Sequence, residues 1–152
     1  MRNFRSGFTL LELLIVVSII GILAGIAMPK MAEVARKAQE GALKGNLGSL
    51  RSSLSIYYAD NEGLYPSCIA GADSSIFQDV LVPKYIRAIP QVKSGLHPGT
   101  DAVYCDSAMV AGSVHDSQGW YYDGVLPADS QQGSIWVACD HTDSKGTTWT
   151  AY

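Results

Sequence analysis

The 152-residue sequence predicts an α+β protein in which one long N-terminal helix packs against a small β-rich domain. The first observation is an apolar run, residues 8–28, which continues without a loop signal into an amphipathic stretch that ends near residue 60. The second is the composition of residues 61–152, where Gly, Ser and Asp separate short β-like segments. A domain of this size has a thin core, so we expect the helix to supply one side of it.

The apolar run is long enough to cross a membrane. At 1.5 Å per helical residue, residues 8–28 span roughly 31 Å, about the thickness of a bilayer core. Arg2 and Arg5 precede the run and no acid does, so the positive-inside bias predicts a cytoplasmic N-terminus. A secretory signal peptide also has a basic start, but its apolar region is only about 7–15 residues long and ends at a small-residue cleavage site.

Glu12 is the only ionisable side chain in the apolar run. An acid in hydrocarbon costs on the order of 3 kcal/mol and normally has a partner, which makes it a functional-site candidate. A plain membrane anchor for a monomeric binding module explains the length and the flanking arginines but leaves this acid unexplained. A second alternative is that Glu12 reaches the lipid headgroups from its place near the end of the helix.

The N-terminal motif consists of Gly7-Phe8-Thr9-Leu10-Leu11-Glu12 and the apolar residues that follow it. It resembles the class III signal of type IV pilins and type II secretion pseudopilins, closely as far as residue 60 and loosely beyond. The resemblance implies that prepilin peptidase removes a leader, residues 1–7, by cutting between Gly7 and Phe8, and then methylates Phe8. It also implies that Glu12 neutralises the N-terminal amine of a neighbouring subunit, which is the partner that the acid requires.

The resemblance implies a structural subunit of a type IV filament, without enzymatic activity, that forms a homopolymer through residues 8–28. The implied partners are prepilin peptidase, an inner-membrane platform protein, an assembly ATPase, other minor pilins or pseudopilins, and membrane lipid before assembly. The implied location is the bacterial inner membrane, with the head domain outside the cytoplasm and the filament in the periplasm or on the cell surface. Residues 82–90 resemble a segment of G-type pseudopilins and favour type II secretion, whereas the cysteines favour a pilus pilin.

Residues 29–60 predict an amphipathic continuation of the helix. Pro29 removes one backbone hydrogen bond and should kink the helix near the membrane boundary. One apolar stripe with spacing of three to four residues should face the core. It consists of Leu43, Leu47, Leu50, Leu54 and Tyr57 or Tyr58. The charged residues are expected on the other faces; they are Lys30, Glu33, Arg36, Lys37, Glu40 and Lys44.

The head domain, residues 61–152, should contain a short helix that begins at Ser75 and ends before Pro83. Four strands are predicted at Ala102–Cys105, Gly119–Tyr122, Ser134–Cys139 and Thr147–Ala151. Asp123-Gly124 predicts a hairpin turn, and Lys145-Gly146 predicts a turn that makes Ser134–Ala151 a terminal hairpin. The family resemblance implies that the sheet is antiparallel. The aromatic residues Trp120, Tyr121, Trp136 and Trp149 fit a core better than an adhesive or sugar-binding face.

Three cysteines lie in the part of the chain that is predicted to face an oxidising compartment: Cys68, Cys105 and Cys139. This predicts one disulfide and one remaining thiol. The resemblance to pilins favours a bond between Cys105 and Cys139, while the residues themselves leave the pairs with Cys68 open. The remaining thiol is either buried or links neighbouring subunits.

No residue pattern predicts catalysis. His97, His115 and His141 lack a recognisable spacing to one another or to the cysteines, and Cys139-Asp140-His141 is not a metal-binding motif. No nucleophile motif or phosphate-binding loop is present either. The net charge of −3 provides no basic stripe, so nucleic-acid binding is not indicated.

Asp140 and Asp143 are the candidate metal ligands of the sequence. Both lie in one C-terminal turn, and carboxylate oxygens are suitable ligands for Ca²⁺. The G-type pseudopilins that the chain resembles carry calcium in a C-terminal loop, although these acids match no calcium motif position by position. A solvated turn without an ion is the alternative, and no other cofactor is expected.

Overall fold

The computed structural model of the chain describes residues 7–68, 75–94, 97–105, 119–124 and 132–152. The elements, in chain order, are helix α1 (Leu10–Asp60), helix α2 (Ser75–Leu81), strands β1 (Val103–Cys105), β2 (Trp120–Tyr122) and β3 (Ile135–Val137), and a 3₁₀ helix (Trp149–Ala151). The chain divides into two units between Arg36 and Lys37, and α1 contributes to both. A long helix and a small sheet domain confirm the predicted α+β class.

In its described residues, 7–36, the first unit is a helical segment without a core of its own. Each described residue in it, from Gly7 to Arg36, is exposed, and its large apolar side chains are between 47% and 81% exposed. Helix α1 is long and apolar enough to cross a membrane. It stays helical on both sides of Pro29, and the kink at that residue stays a prediction.

The second unit is built around the apolar stripe of α1, as predicted. The four leucines of the stripe are at most 3% exposed: Leu43, Leu47, Leu50 and Leu54. Tyr57 is partly buried against the same core, whereas Tyr58 is exposed. Glu40, which the pattern placed on a polar face, is instead buried at the C-terminal loop. The stripe therefore supplies one wall of the head domain's core.

The sheet has the order β1-β2-β3, with β2 in the centre. Strand β2 pairs antiparallel with β3, where Tyr121 lies opposite Trp136. It pairs parallel with β1, where Tyr104 lies opposite Tyr121. The sheet is therefore mixed, and the expectation that it is wholly antiparallel is wrong. Residues 106–119, which connect β1 to β2, are long enough for the crossover of about a dozen residues that a parallel pair needs.

The turn at Asp123-Gly124 does not close a two-residue hairpin. Strands β2 and β3 form an antiparallel pair as predicted, but β3 begins only at Ile135. Asp123 pairs with this end of β3, because its backbone N–H donates to the carbonyl oxygen of Ser134 at 3.0 Å. Residues 125–131, between the two strands, lie outside the described part of the chain.

The predicted strand at Thr147–Ala151 is wrong. Only the bridge between Thr142 and Thr148 remains of the terminal hairpin, and the chain then forms a 3₁₀ helix. The turn brings the Trp149 ring into the core, where it is 1% exposed, and the N–H of Trp149 donates to the carbonyl oxygen of His141 at 3.1 Å. Burial of a large aromatic side chain therefore overrides the β pattern.

Two aromatic side chains of β2 tie the sheet to the connecting segments. The indole N–H of Trp120 donates to the carbonyl oxygen of Pro90 at 2.7 Å, and the hydroxyl of Tyr122 donates to that of Pro66 at 2.7 Å. Both rings are fully buried. These contacts confirm that the aromatic residues of β2 form core rather than a binding face.

Candidate functional site

The N-terminal motif forms a capping box at the start of α1. The backbone N–H and the hydroxyl of Thr9 both donate to Oε2 of Glu12, at 2.9 and 2.8 Å. In return, the backbone N–H of Glu12 donates to the Thr9 hydroxyl oxygen at 3.2 Å. The arrangement satisfies backbone donors that would otherwise lack partners in the first helical turn. Within a single chain, the acid of the apolar run thus has a partner three residues away.

Gly7 lies in the non-helical segment just before this cap. A Cβ atom at this position would meet nothing within 4 Å, and the backbone is outside the left-handed region that favours glycine. The fold of the chain therefore gives no reason for glycine at this position. A requirement for glycine here would come from a partner that reads the exposed segment, as the cleavage prediction for Gly7 and Phe8 implies.

The disulfide joins Cys68 to Cys105, with their Cα atoms 6.1 Å apart, and Cys139 is a buried thiol. The predicted bond between Cys105 and Cys139 is wrong because of the strand order. Cys105 ends β1 and Cys139 follows β3, so the central strand lies between them. Two strand spacings of about 4.8 Å exceed the Cα separation of about 7 Å that a disulfide can bridge. Cys68 reaches β1 because its N–H bonds the carbonyl oxygen of Gly124, just beyond β2.

Asp143 is the centre of a polar cluster that connects the C-terminal loop to α1. Its Oδ2 accepts hydrogen bonds from the ammonium of Lys44 at 2.8 Å and from the hydroxyl of Tyr152 at 2.6 Å. Its Oδ1 accepts from the backbone N–H groups of Lys145 and Thr147, at 2.8 and 3.0 Å. The carboxylate is 1% exposed. Four donors around one buried carboxylate hold the loop in a single conformation.

These contacts shift the ionisation of both charged groups. Hydrogen bonding to the Lys44 ammonium, then to Tyr152, holds the pKa of the Asp143 carboxyl well below its ordinary value of 3.8. The bond to Asp143 likewise raises the pKa of Lys44. The ammonium also lies 3.9 Å from the centre of the Tyr152 ring, which adds a cation–π contact.

The calcium prediction rested on Asp140 and Asp143, and it stays a prediction. Asp143 already accepts four hydrogen bonds, so its lone pairs are directed at donors rather than at an open position. The side chain of Asp140 is 65% exposed and lies beside His141. The arrangement around Asp143 fits neutralisation by the Lys44 ammonium better than coordination of Ca²⁺.

Glu40 makes the second connection between α1 and the C-terminal loop. Its Oε1 accepts the backbone N–H of Ser144 at 3.0 Å, and its Oε2 accepts the Ser144 hydroxyl. The pattern of polar residues in α1 did not predict this burial, because the partner lies 104 residues further along the chain. Glu40 and Lys44, one helical turn apart, thus hold adjacent residues of the same loop.

A cluster of ligand-type side chains that the sequence did not reveal lies at the other side of this loop. Nδ1 of His141 is 3.3 Å from Nε2 of His97 and 3.4 Å from Sγ of Cys139. The ligand atoms of all three residues lie within 4.8 Å of one another. His97 is 44 residues from His141, so spacing along the chain gave no signal. The bridge between Val92 and Thr100 closes the loop that carries His97.

Comparison with known proteins assigns the N-terminal motif and the whole chain to one family. The family model described as the prokaryotic N-terminal methylation motif matches residues 2–28. The fimbrial protein EcpC of Eikenella corrodens is 38% identical over 95% of this chain and 89% of its own length. Type II secretion system core protein G of Klebsiella michiganensis is 29% identical over 78% of this chain and 95% of its own length.

The type IV major pilin PilE1 of Neisseria gonorrhoeae is 31% identical over 66% of this chain and 59% of its own length. No solved structure matches the chain. The match to the fimbrial protein extends through the head domain, beyond the methylation motif. The chain belongs to the family of type IV pilins and type II secretion pseudopilins.

Proposed function

We propose that this chain is a structural subunit of a type IV filament, and specifically a G-type pseudopilin of a type II secretion system, with no catalytic activity. One observation carries the proposal. The first unit exposes a continuous apolar surface with a single carboxylate at its start, Glu12. Such a surface is stable only in lipid or against other apolar helices.

The exposed apolar surface of the helix supports a proposal that gives it two environments in turn. Before assembly, residues 8–28 lie in the inner membrane, with the N-terminus in the cytoplasm and the head domain outside it. In the filament, the same surface packs against neighbouring copies. Gly21 and Gly25 are one turn apart, and neither has an atom within 4 Å of the place where a Cβ would be. Small residues at this spacing let helices approach closely.

Glu12 exchanges its partner during assembly in this proposal. Within one chain, the carboxylate accepts two hydrogen bonds from Thr9, which stabilise the start of α1. Removal of the leader after Gly7 creates a charged amine at Phe8. The charged amine of a neighbouring subunit then takes the place of the neutral Thr9 donors as the partner of the Glu12 carboxylate. The ammonium and the carboxylate attract each other strongly, because the surrounding medium has a low dielectric constant.

Family membership supports the proposed processing and assembly partners. Prepilin peptidase cuts between Gly7 and Phe8 and methylates Phe8, which fits an exposed glycine that the fold itself does not require. An assembly ATPase and an inner-membrane platform protein drive polymerisation, and minor pseudopilins complete the filament. The matched relatives are named as fimbrial or secretion-system proteins, which supports a structural rather than an enzymatic role.

A pilus pilin is the second candidate, because a specific observation favours it. The fimbrial protein of Eikenella corrodens matches more of this chain, and at higher identity, than core protein G of Klebsiella michiganensis does. Deletion of the gene in its own host distinguishes the two functions. Loss of protein secretion with unchanged surface filaments supports the pseudopilin, whereas loss of surface filaments with unchanged secretion contradicts it and supports the pilin.

Replacement of Glu12 by Gln tests the assembly step. The amide keeps an oxygen that can accept from Thr9 but removes the charge that pairs with the incoming amine. We expect Glu12→Gln to reduce filament yield by at least about tenfold, since loss of one partner of a buried ion pair costs about 3–5 kcal/mol. The yield is measured by shearing and sedimentation, with membrane-bound subunit quantified in the same cells.

Glu33→Gln is the matched control, because Glu33 is an exposed glutamate of the same helix outside the apolar run. It should leave filament yield near the native level. Intact-mass analysis of both variants then shows whether the leader has been removed and Phe8 methylated. Native yield from Glu12→Gln, at native subunit levels, would contradict charge pairing in assembly, and retention of residues 1–7 in native filaments would contradict processing.

A further inference from the structure

We propose that His97, Cys139 and His141 form a binding site for Zn²⁺ in the head domain. Cys139 and His141 lie two residues apart, and His97 comes from a different loop, 44 residues from His141. Together they bring two imidazole nitrogens and one sulfur to one place. The proposal concerns the folded head domain and does not depend on which filament the subunit builds.

The distances between the ligand atoms fit one tetrahedral ion. Bonds of about 2.05 Å to nitrogen and about 2.3 Å to sulfur place tetrahedral ligands about 3.3–3.6 Å apart. The observed separation between Nε2 of His97 and Nδ1 of His141 is 3.3 Å, and that between Sγ of Cys139 and Nδ1 of His141 is 3.4 Å. The third pair, His97 and Cys139, is within 4.8 Å. A modest movement of the His97 ring is enough to complete the geometry.

Backbone hydrogen bonds lie at or near each ligand residue. Cys139 lies two residues after the end of β3, and its side chain is fully buried. His141 precedes the bridge between Thr142 and Thr148, and its carbonyl oxygen accepts the N–H of Trp149. His97 is carried by the loop that the bridge between Val92 and Thr100 closes. Ligands held by hydrogen-bonded backbone lose little conformational entropy when an ion binds.

The chemistry of the three ligands favours zinc over calcium. Thiolate and imidazole are the typical ligands of Zn²⁺, whereas Ca²⁺ takes six to eight oxygen ligands. Deprotonation of the Cys139 thiol supplies one negative charge, and the carboxylate of Asp140, with Oδ1 3.4 Å from Nδ1 of His141, supplies a second. Together they balance the charge of a divalent ion. The described part of the chain supplies three ligands here, and a tetrahedral ion takes a fourth ligand, such as a water molecule or a further side chain.

Bound zinc would have two effects on the head domain. It would join the loop of residues 92–100 to the segment that follows β3, and so stabilise the folded state through ligand binding. It would also hold Cys139 as a metal thiolate and restrict its reaction with thiol reagents. This gives the remaining cysteine a role other than a link between subunits.

The test uses the full-length chain in detergent, stripped of metal with a chelator and then titrated with ZnCl₂ and, separately, with CoCl₂. We expect a stoichiometry of one Zn²⁺ per chain and a rise in the thermal midpoint of unfolding. With Co²⁺ we expect the visible bands of a tetrahedral ion and a thiolate-to-cobalt charge-transfer band. Zinc should also slow alkylation of Cys139 by a maleimide.

Three variants identify the ligands. His97→Ala and His141→Ala should each weaken zinc binding by more than about 100-fold. Loss of a residue that only hydrogen-bonds to a metal ligand already lowers metal affinity by about 10–100-fold, and loss of the ligand itself should cost more. Cys139→Ser should remove the cobalt charge-transfer band. Asp101→Asn, which alters an exposed acid, is the control and should bind zinc like the native chain.

Two measurements keep the result interpretable. Because Cys139 is buried, near-ultraviolet circular dichroism is used to check that Cys139→Ser still folds. His97 is only half-buried, so His97→Ala tests the loss of a zinc ligand with less risk to the core. Absence of stoichiometric zinc binding by the native chain, or native affinity in both histidine variants, would overturn the proposal. A cobalt spectrum without the thiolate band would likewise exclude Cys139 as a ligand.

Discussion

The two units of the chain use similar aliphatic residues in opposite ways. Leu10, near the start of α1, is 81% exposed, whereas Leu50, in the second half of the same helix, is fully buried. Helix periodicity alone does not produce this difference, because both belong to one continuous helix. The head domain provides its own apolar surroundings for Leu50. In the first unit, the apolar surroundings must come from lipid or from other subunits. This unit is therefore the part of the molecule that assembles.

Two glutamates of α1 show the same contrast among polar groups. Glu12 accepts its hydrogen bonds from Thr9, three residues away, and the contact is exposed. Glu40 accepts its bonds from Ser144, 104 residues away, and is itself buried. The contact of Glu40 fixes tertiary structure, whereas a local, exposed contact is easily exchanged. The first unit is therefore suited to changing partners and the second to keeping them.

The largest effect that distinguishes the two units is expected from leucine truncation. Leu50→Ala should lower the free energy of unfolding of the head domain by about 2–5 kcal/mol, because it leaves a cavity in the core. Leu14→Ala, on the exposed stretch, should leave it unchanged. All three tryptophans lie in the head domain, so chemical denaturation followed by tryptophan fluorescence reports on this unit alone. An equal loss in both variants would contradict the division.

The disulfide should have the next largest effect, again confined to the head domain. Cys68 and Cys105 are 37 residues apart, and closing a loop of this length stabilises a domain by about 2–4 kcal/mol. We expect Cys68→Ser to lower the denaturation midpoint accordingly. Peptide mapping under non-reducing conditions should recover Cys68 linked to Cys105. Recovery of Cys105 linked to Cys139 would show that the strand order is wrong.

The sequence predicted the parts of this fold that depend on local patterns. The four buried leucines of α1 follow helical spacing, and the strands centred on Tyr104, Tyr121 and Trp136 were located within one or two residues. In these cases, the spacing of neighbouring residues determines the local structure, and this spacing can be recognised in the sequence.

Most of the errors involve partners that are distant along the chain. The parallel pairing of β1 with β2 places Cys105 beside the Cys68 segment and separates it from Cys139. The strand predicted at the C-terminus is replaced by a turn, because Trp149 enters the core and Asp143 accepts hydrogen bonds from its own loop. His97 likewise meets His141, which lies 44 residues further along the chain. Local propensity does not encode these choices, since tertiary contacts decide them.

The smallest of the three effects on stability should come from the loss of an ion pair between α1 and the rest of the head domain. Two such pairs can be compared. Lys44 pairs with the buried carboxylate of Asp143 at 2.8 Å, whereas Lys84 pairs with Asp60 at 3.4 Å and both partners are well exposed. Asp143→Asn should lower the thermal midpoint, because it turns an amide donor toward the Lys44 ammonium and Tyr152. Asp60→Asn should have little effect, since exposed pairs contribute little.

The pH dependence of these variants separates charge from packing. The pKa of Asp143 is lower in the folded chain than its ordinary value of 3.8, so its ionised form favours folding. That stabilisation is complete at pH values well above 3.8 and is lost as the pH falls below it toward the folded value. In chelator, the difference in thermal midpoint between the native chain and Asp143→Asn should therefore be constant near neutral pH and shrink below about pH 4. A difference that persists unchanged at pH 2 would show that packing, rather than the charge on Asp143, holds the C-terminal loop against the helix.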